Sequence, residues 1–241
     1  MSKQSINTIL FDLDGTLLPL DQKQFIRGYY QRFLKKGVEL GFNPEKLSLA
    51  LERGIAAMMG NDGSMTNKDR FDQVFHQVSG IDPKQFNARF ALFYENEFNQ
   101  LKQCANPSPL ARDVVHSVQE KGYTVVLATT PLFPSMGTNA RLSWAGLEPS
   151  LFSLVTTYED FHYAKPNHGY YYQILEHLGL EASSCLMIGN DVEEDMVAGD
   201  VGMELYLVTD CLINTKNKPL DGYRQGSLKD LARFCKELPP C

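Results

Sequence analysis

Two carboxylates one residue apart, Asp12 and Asp14, close a short apolar run reading Ile6-Asn-Thr-Ile-Leu-Phe11, and Gly15 and Thr16 follow at once. Side chains alternate faces along a strand, so a straight continuation sets both acids on one side. Crowded carboxylates repel each other unless a cation or a shared proton compensates. An all-oxygen pair of this kind suits magnesium, which takes one or two carboxylates together with substrate phosphate oxygens. Gly15 permits a sharp turn directly after the pair. The same Asp-x-Asp-Gly residues also make an ordinary Asx turn, so the motif needs support from elsewhere in the chain.

Strand-like runs at 8–11, 124–128, 152–156, 185–188 and 204–208 alternate with helical patterns near 108–121, 135–144, 168–178, 193–201 and 227–238. That alternation predicts an α/β fold on a parallel sheet. Residues 219–226 read as a loop. From about Asp21 to Gln103 there is no convincing strand. Phe25, Tyr29 and Phe33, then Phe71, Phe75 and Val78, then Phe86, Phe90 and Phe93 recur there at helical spacing. These stripes read as core packing. About four helices are therefore expected as an insert at 21–103, with residues 1–20 and 104–241 forming the α/β core.

Ligands of open parallel sheets sit at the carboxyl ends of the strands, and three other strand ends carry suitable groups. The second strand ends in Thr129-Thr130-Pro131, where a hydroxyl and backbone N–H groups can hold a phosphate oxygen or simply cap a helix. After the third comes Lys165-Pro166, a compact charge for a carboxylate or phosphate, or a solvated surface lysine. The fourth ends in Gly189-Asn190-Asp191, with Asp195 four residues on. Asp191 would complete a magnesium site with Asp12, and Asp195 would hold Lys165 or a metal-bound water. Glu193 and Glu194 are assigned to stabilising a helix N-terminus.

At 241 residues, 43% apolar and 22% charged, the chain has the composition of an ordinary globular protein. A net charge of −6 argues against nucleic acid as a partner. No apolar run reaches the roughly 18–20 residues that span a bilayer, and Met1–Ser5 lacks the apolar core of a signal peptide. Cys104, Cys185, Cys211, Cys235 and Cys241 are scattered and odd in number, which fits reduced thiols. A cytoplasmic location is the expectation, and the oligomeric state is left open.

Taken in order, Asp12-Leu13-Asp14-Gly15-Thr16, Thr129, Lys165-Pro166 and Gly189-Asn190-Asp191 with Asp195 resemble the four motifs of the haloacid dehalogenase-like hydrolase superfamily. The resemblance implies a doubly wound, Rossmann-like core with an inserted α-helical cap domain. It also implies a magnesium-dependent phosphatase acting on a small phosphorylated metabolite through an aspartyl-phosphate. Asp12 would be the nucleophile and Asp14 the proton donor and acceptor, while Asp12, the Asp14 carbonyl and Asp191 would hold Mg2+. Thr129, Lys165 and backbone groups near Leu13 and Thr130 would bind the phosphoryl oxygens. Relatives that displace halide usually lack the second Asp, so Asp14 favours phosphorus chemistry. Many relatives read Gly-Asp where this chain reads Gly-Asn-Asp, which leaves Asn190 as the alternative metal contact to Asp191. A phosphomutase and a non-catalytic sensor of a phosphorylated ligand are the competing readings. Arg27, Lys68 and Arg70 are candidate substrate contacts, and Pro19–Gln24 is a candidate hinge.

Overall fold

A computed structural model describes residues 5–241; Met1–Gln4, part of the N-terminal stretch read above, lie outside the described residues. The strands are β1 (Thr8–Phe11), β2 (Thr124–Leu127), β3 (Leu154–Val155), β4 (Cys185–Gly189), β5 (Glu204–Val208) and β6 (Arg224–Gly226). They form one sheet in the order β3-β2-β1-β4-β5-β6, and every pairing is parallel. The register sets Phe11 level with Leu127 on one side and Ile188 on the other. Asp12, Ala128 and Gly189 therefore leave the sheet at the same height, which brings three of the four motif loops together. β6 falls where a loop is expected: it is a short edge strand with exposed Arg224 and Gln225, and carries no apolar signal.

The helices are α1 (Gln22–Glu39), α2 (Pro44–Met59), α3 (Asn67–Ser79), α4 (Pro83–Glu95), α5 (Leu110–Glu120), α6 (Ser135–Trp144), α7 (His168–Leu178) and α8 (Leu228–Glu237). β1 is buried on both faces, as a doubly wound sheet requires. Ile9 and Phe11 pack with Val115 of α5 and Leu231 of α8, whereas Leu10 packs with Tyr170 and Ile174 of α7. The helix expected at 193–201 is instead a turn followed by a 3₁₀ segment, Met196–Val201. Asp191 Oδ1 accepts from the N–H groups of Glu193 and Glu194, and Asp195 Oδ2 accepts from those of Asn190 and Asp191. These are side-chain-to-backbone bonds of the Asx-turn and N-cap kind, and they fix the turn that carries the fourth motif.

The segment 21–103 contains the four expected helices α1–α4, followed by a 3₁₀ segment, Phe98–Cys104, that leads toward α5. Each of the four has a side-chain N-cap, from Asp21, Asn43, Thr66 and Asp82 respectively. Its aromatic stripes are buried and continuous with the apolar cluster under the sheet. The segment's entry and exit pair with each other: Asn106 N–H donates to the Pro19 carbonyl at 2.8 Å and Asp21 N–H to that of Cys104 at 3.0 Å. A second attachment lies at the start of α3. Asn67, fully buried, donates from its backbone to Phe161 O at 2.7 Å and from its amide to the carbonyls of Pro131 and Tyr163. Among the described residues no helix is long and apolar enough to cross a membrane.

Candidate active site

Asp12 continues β1 into the space at the carboxyl edge of the sheet, and the chain turns back at Gly15, which has φ +94°. A Cβ there would run into the Asn190 side chain, so glycine is required for close approach as well as for the turn. Thr16 Oγ1 lies 3.2 Å from Asp12 Oδ2 and 3.0 Å from Asn190 Oδ1, tying the first motif to the fourth. Asn190 Nδ2 donates to the Cys211 carbonyl at 2.7 Å, which fixes the amide's orientation.

Lys165 is completely buried, which a surface lysine would not be. Its Nζ donates to Asp12 Oδ1 at 3.0 Å and to Asp195 Oδ1 at 2.6 Å. Burial penalises the ammonium, but the charges of Asp12 and Asp195 outweigh it and hold the Lys165 pKa well above its ordinary value. Burial raises the Asp195 carboxyl, against the pull of Lys165 and with a further push from Asp12. Loss of hydration is the physical reason for that rise, and Lys165 offsets it only in part. A Cβ at residue 189 would collide with the Asp195 carboxylate, so Gly189 makes room for this array.

Asp14 is held differently. Its Oδ2 forms an ion pair with Nη1 of Arg141, a side chain only 1% exposed on α6. Arg141 is fixed in turn by the Gly137 carbonyl at 3.2 Å and Thr138 Oγ1 at 3.3 Å, and its guanidinium lies over the Phe133 ring. Burial raises the Asp14 pKa; Arg141 opposes that rise and the charge of Asp12 adds to it. Asp14 Oδ1 is buried without a hydrogen-bond partner.

Asp12, Asp14, Thr129, Thr130, Asn190, Asp191 and Asp195 all line one cavity of about 120 Å³. Lys165 reaches Asp12 and Asp195 from below it, and Leu13 is wholly buried, so only its backbone can serve the site. Thr129 is buried, with its carbonyl accepting from Thr156 Oγ1 and the Tyr170 hydroxyl. Thr130 Oγ1 donates to Glu194 Oε2 at 2.9 Å. Glu194, assigned above to a helix terminus, thus belongs to the pocket, and burial raises its pKa as it does that of Asp191. Glu193 has the structural role instead, accepting from the N–H groups of Thr215 and Lys216.

Of the other candidates, Arg27 and Arg70 line neither this cavity nor the larger one beside it, and Arg70 is engaged by Asp62 and Ser64. Lys68 lines the larger cavity, paired with Asp72. Arg141 was not among the sequence candidates. Its signal is faint, one basic residue in the last turn of an ordinary helix.

The donor set suits a hard divalent cation: carboxylates and an amide oxygen crowd together, and the Asp14 oxygen without a partner is buried among them. Among the described residues, no three His, Cys, Asp or Glu side chains already stand as a complete ligand cluster. A cation here would also need backbone carbonyl, phosphate or water oxygens, as magnesium commonly does.

A family model for haloacid dehalogenase-like hydrolases matches residues 6–200. Pyrophosphatase PpaX of Oceanobacillus iheyensis is 25% identical over 195 residues, covering 81% of this chain and 79% of that protein. A HAD phosphatase from Thermococcus onnurineus superposes with a TM-score of 0.59 at 19% identity, over 98% of this chain and 100% of that one. A 2-haloacid dehalogenase from Pseudomonas syringae gives 0.59 at 20% identity, over 95% and 99%. These two likenesses show the fold, and that fold carries both chemistries, so it does not choose between them. The family model spans most of the chain, and the chain belongs to the haloacid dehalogenase-like hydrolase family.

Proposed function

We propose that the protein is a magnesium-dependent phosphatase that hydrolyses small phosphate monoesters through an aspartyl-phosphate on Asp12. The observation that carries this reading is the buried Asp12–Lys165–Asp195 array with Asp14 lining the same pocket. A nucleophile beside a separately held proton donor is what phosphoryl transfer to water requires. The pyrophosphatase relative favours chemistry at phosphorus.

In the first step an Asp12 oxygen forms a bond to phosphorus while the bond from phosphorus to the ester oxygen breaks. Asp14 gives its proton to the departing oxygen, and burial of this carboxyl favours the protonated form that the step needs. In the second step the Asp14 carboxylate takes a proton from water, and the hydroxide formed attacks phosphorus. The Asp12–phosphorus bond breaks, releasing inorganic phosphate. Asp14 Oδ1, with no competing partner, is the oxygen free to move the proton, while Arg141 holds Oδ2. Lys165 holds Asp12 Oδ1 in place by its hydrogen bond and, with Thr129 and the backbone N–H groups near Leu13 and Thr130, faces the phosphoryl oxygens. Asp12, the Asp14 carbonyl and Asp191 would hold Mg2+, with Asn190 and Asp195 fixing the loop behind them. The cation supplies charge neutralisation between nucleophile and phosphate.

The segment 21–103 is read as a cap over this pocket, hinged where 19–21 pairs with 104–106. Hydrolysis of p-nitrophenyl phosphate, assayed with magnesium and with EDTA, tests the function. Turnover that depends on magnesium is expected. No release of phosphate from any member of a broad ester panel would contradict it.

A further inference from the structure

Beside the acidic pocket lies a second cavity of about 390 Å³, enclosed by α1–α4 and the chain that follows Thr130. Aromatic and aliphatic side chains dominate its walls, among them Tyr29, Phe33, Leu51, Phe71, Phe86 and Phe90. The two cavities share Ile26, Leu132 and Phe133 as common walls. Leu132 and Phe133 come three and four residues after Thr129, so the apolar space starts directly beside the phosphoryl site.

Its charged groups are already engaged, and the neutral Asn87 amide and Tyr158 hydroxyl also line it. Lys68, the one cation lining it among the described residues, pairs with Asp72 at 2.5 Å. Glu159 accepts from the Ser135 backbone and hydroxyl, and the Tyr29 and Tyr94 hydroxyls bond to each other at 3.3 Å. Among the described residues no unpaired charge is left there for a second phosphate or a carboxylate, and two neutral groups are few against a row of sugar hydroxyls. The mouth is apolar too: Ile26 and Met136, both lining the cavity, are 47% and 40% exposed. A dry apolar cavity of about 150 Å³ already holds a benzene ring, and this one is larger.

We propose that this cavity receives the leaving group, and that the preferred substrates are phosphate monoesters of bulky apolar alcohols or phenols. The assignment rests on the phosphatase reading and narrows it, away from pyrophosphate and from small polyhydroxylated or doubly anionic esters. Phosphate sits among Asp12, Lys165 and Thr129, and the apolar body passes Ile26, Leu132 and Phe133 into the helical segment. Burial of each methylene favours the longer ester about three- to fourfold.

Two series test this on the full chain. Kinetics on n-alkyl phosphates from methyl to octyl, with 1-naphthyl, glycerol and pyrophosphate comparators, read kcat/KM. Calorimetry with the matching alkylphosphonates, whose carbon–phosphorus bond this chemistry does not break, reads affinity. Both quantities are expected to rise about threefold per methylene until the cavity is full, with the polar comparators below the octyl and naphthyl esters. Ala91 lines the cavity and is exposed on α4, so Ala91→Trp should fill space without disturbing the core and flatten both series. A flat or falling dependence in both series would overturn the assignment even if methyl phosphate were hydrolysed, as would an unchanged slope in Ala91→Trp. Rising phosphonate affinity with no ester hydrolysed would support the cavity's role in binding and overturn the phosphatase reading instead.

Discussion

The two cavities differ in almost every physical respect, although they share a wall. The acidic one is small, about 120 Å³, and is built from residues leaving adjacent parallel strands. Its groups are fixed by short-range bonds, as when Thr16 spans Asp12 and Asn190 or Lys165 spans Asp12 and Asp195. The other is about 390 Å³, apolar, and assembled from side chains on four separate helices. Chemistry needs atoms fixed to fractions of an ångström, and a sheet edge supplies that. Discrimination among leaving groups needs a volume and a polarity, which packed helices supply and can vary without touching the reaction. Changes in the acidic pocket should therefore lower turnover for all esters alike, whereas changes in the apolar cavity should alter the ranking of esters.

Asp14→Asn is the largest expected effect and the sharpest check on the division. It should lower kcat for every ester by roughly 10²–10⁴-fold, the usual contribution of a positioned acid–base group, and leave phosphonate affinity nearly unchanged. An effect confined to KM would break the division. Lys165→Met removes the cation shared by two buried carboxylates and should destabilise the fold by about 3–5 kcal/mol. The sign of its pH dependence follows from the raised Asp195 carboxyl. Without Lys165 the folded-state pKa of Asp195 rises further above its unfolded value. The variant's deficit should thus be smallest at low pH and grow as pH rises through the raised folded value. Urea titrations at several pH values measure this, and an equal deficit at all pH would count against the ion pair.

A smaller effect is expected from magnesium. At a hundredfold excess over its dissociation constant it should stabilise the protein by about 2.7 kcal/mol. That gain should fade as pH falls, because Asp191, the ligand raised by burial, takes up a proton. Thermal melts with and without the ion at two pH values check it. Smallest is the effect of Arg141→Met. Arg141 lowers the Asp14 pKa against burial, so its loss should move the alkaline limb of the kcat/KM profile, where the proton donor is lost, upward by roughly one to three pH units. Partial return of the limb in Arg141→Lys is expected; a uniform loss of rate with no movement would mark a merely structural residue.

The acidic pocket was legible in the sequence because it depends on local order. An apolar strand followed by Asp12-x-Asp14-Gly15 repeats in altered form as an apolar strand followed by Gly189-Asn190-Asp191, and parallel register brings the two together. Glu194 was misassigned because an acidic residue after a strand reads equally well as a helix-terminal charge. The helix that reading assumed is instead a turn and a short 3₁₀ segment, Met196–Val201. Arg141 is 127 positions from Asp14, and nothing local distinguishes it from a surface arginine. The aromatic stripes of α1–α4 were rightly expected to be buried, but periodicity reports burial and not volume. Tyr29, Phe33, Phe71, Phe86 and Phe90 are core residues that also enclose a cavity, and only their packing in three dimensions reveals it.

The most direct measurement is a single turnover with a ³²P-labelled aryl phosphate and magnesium, quenched in acid over a time course and mapped by peptide. Transient label on the peptide carrying Asp12, chased into inorganic phosphate and absent in Asp12→Asn, is the expected result. Release of phosphate with no labelled protein at any time, or label on a peptide lacking Asp12, would contradict an aspartyl-phosphate at this pocket.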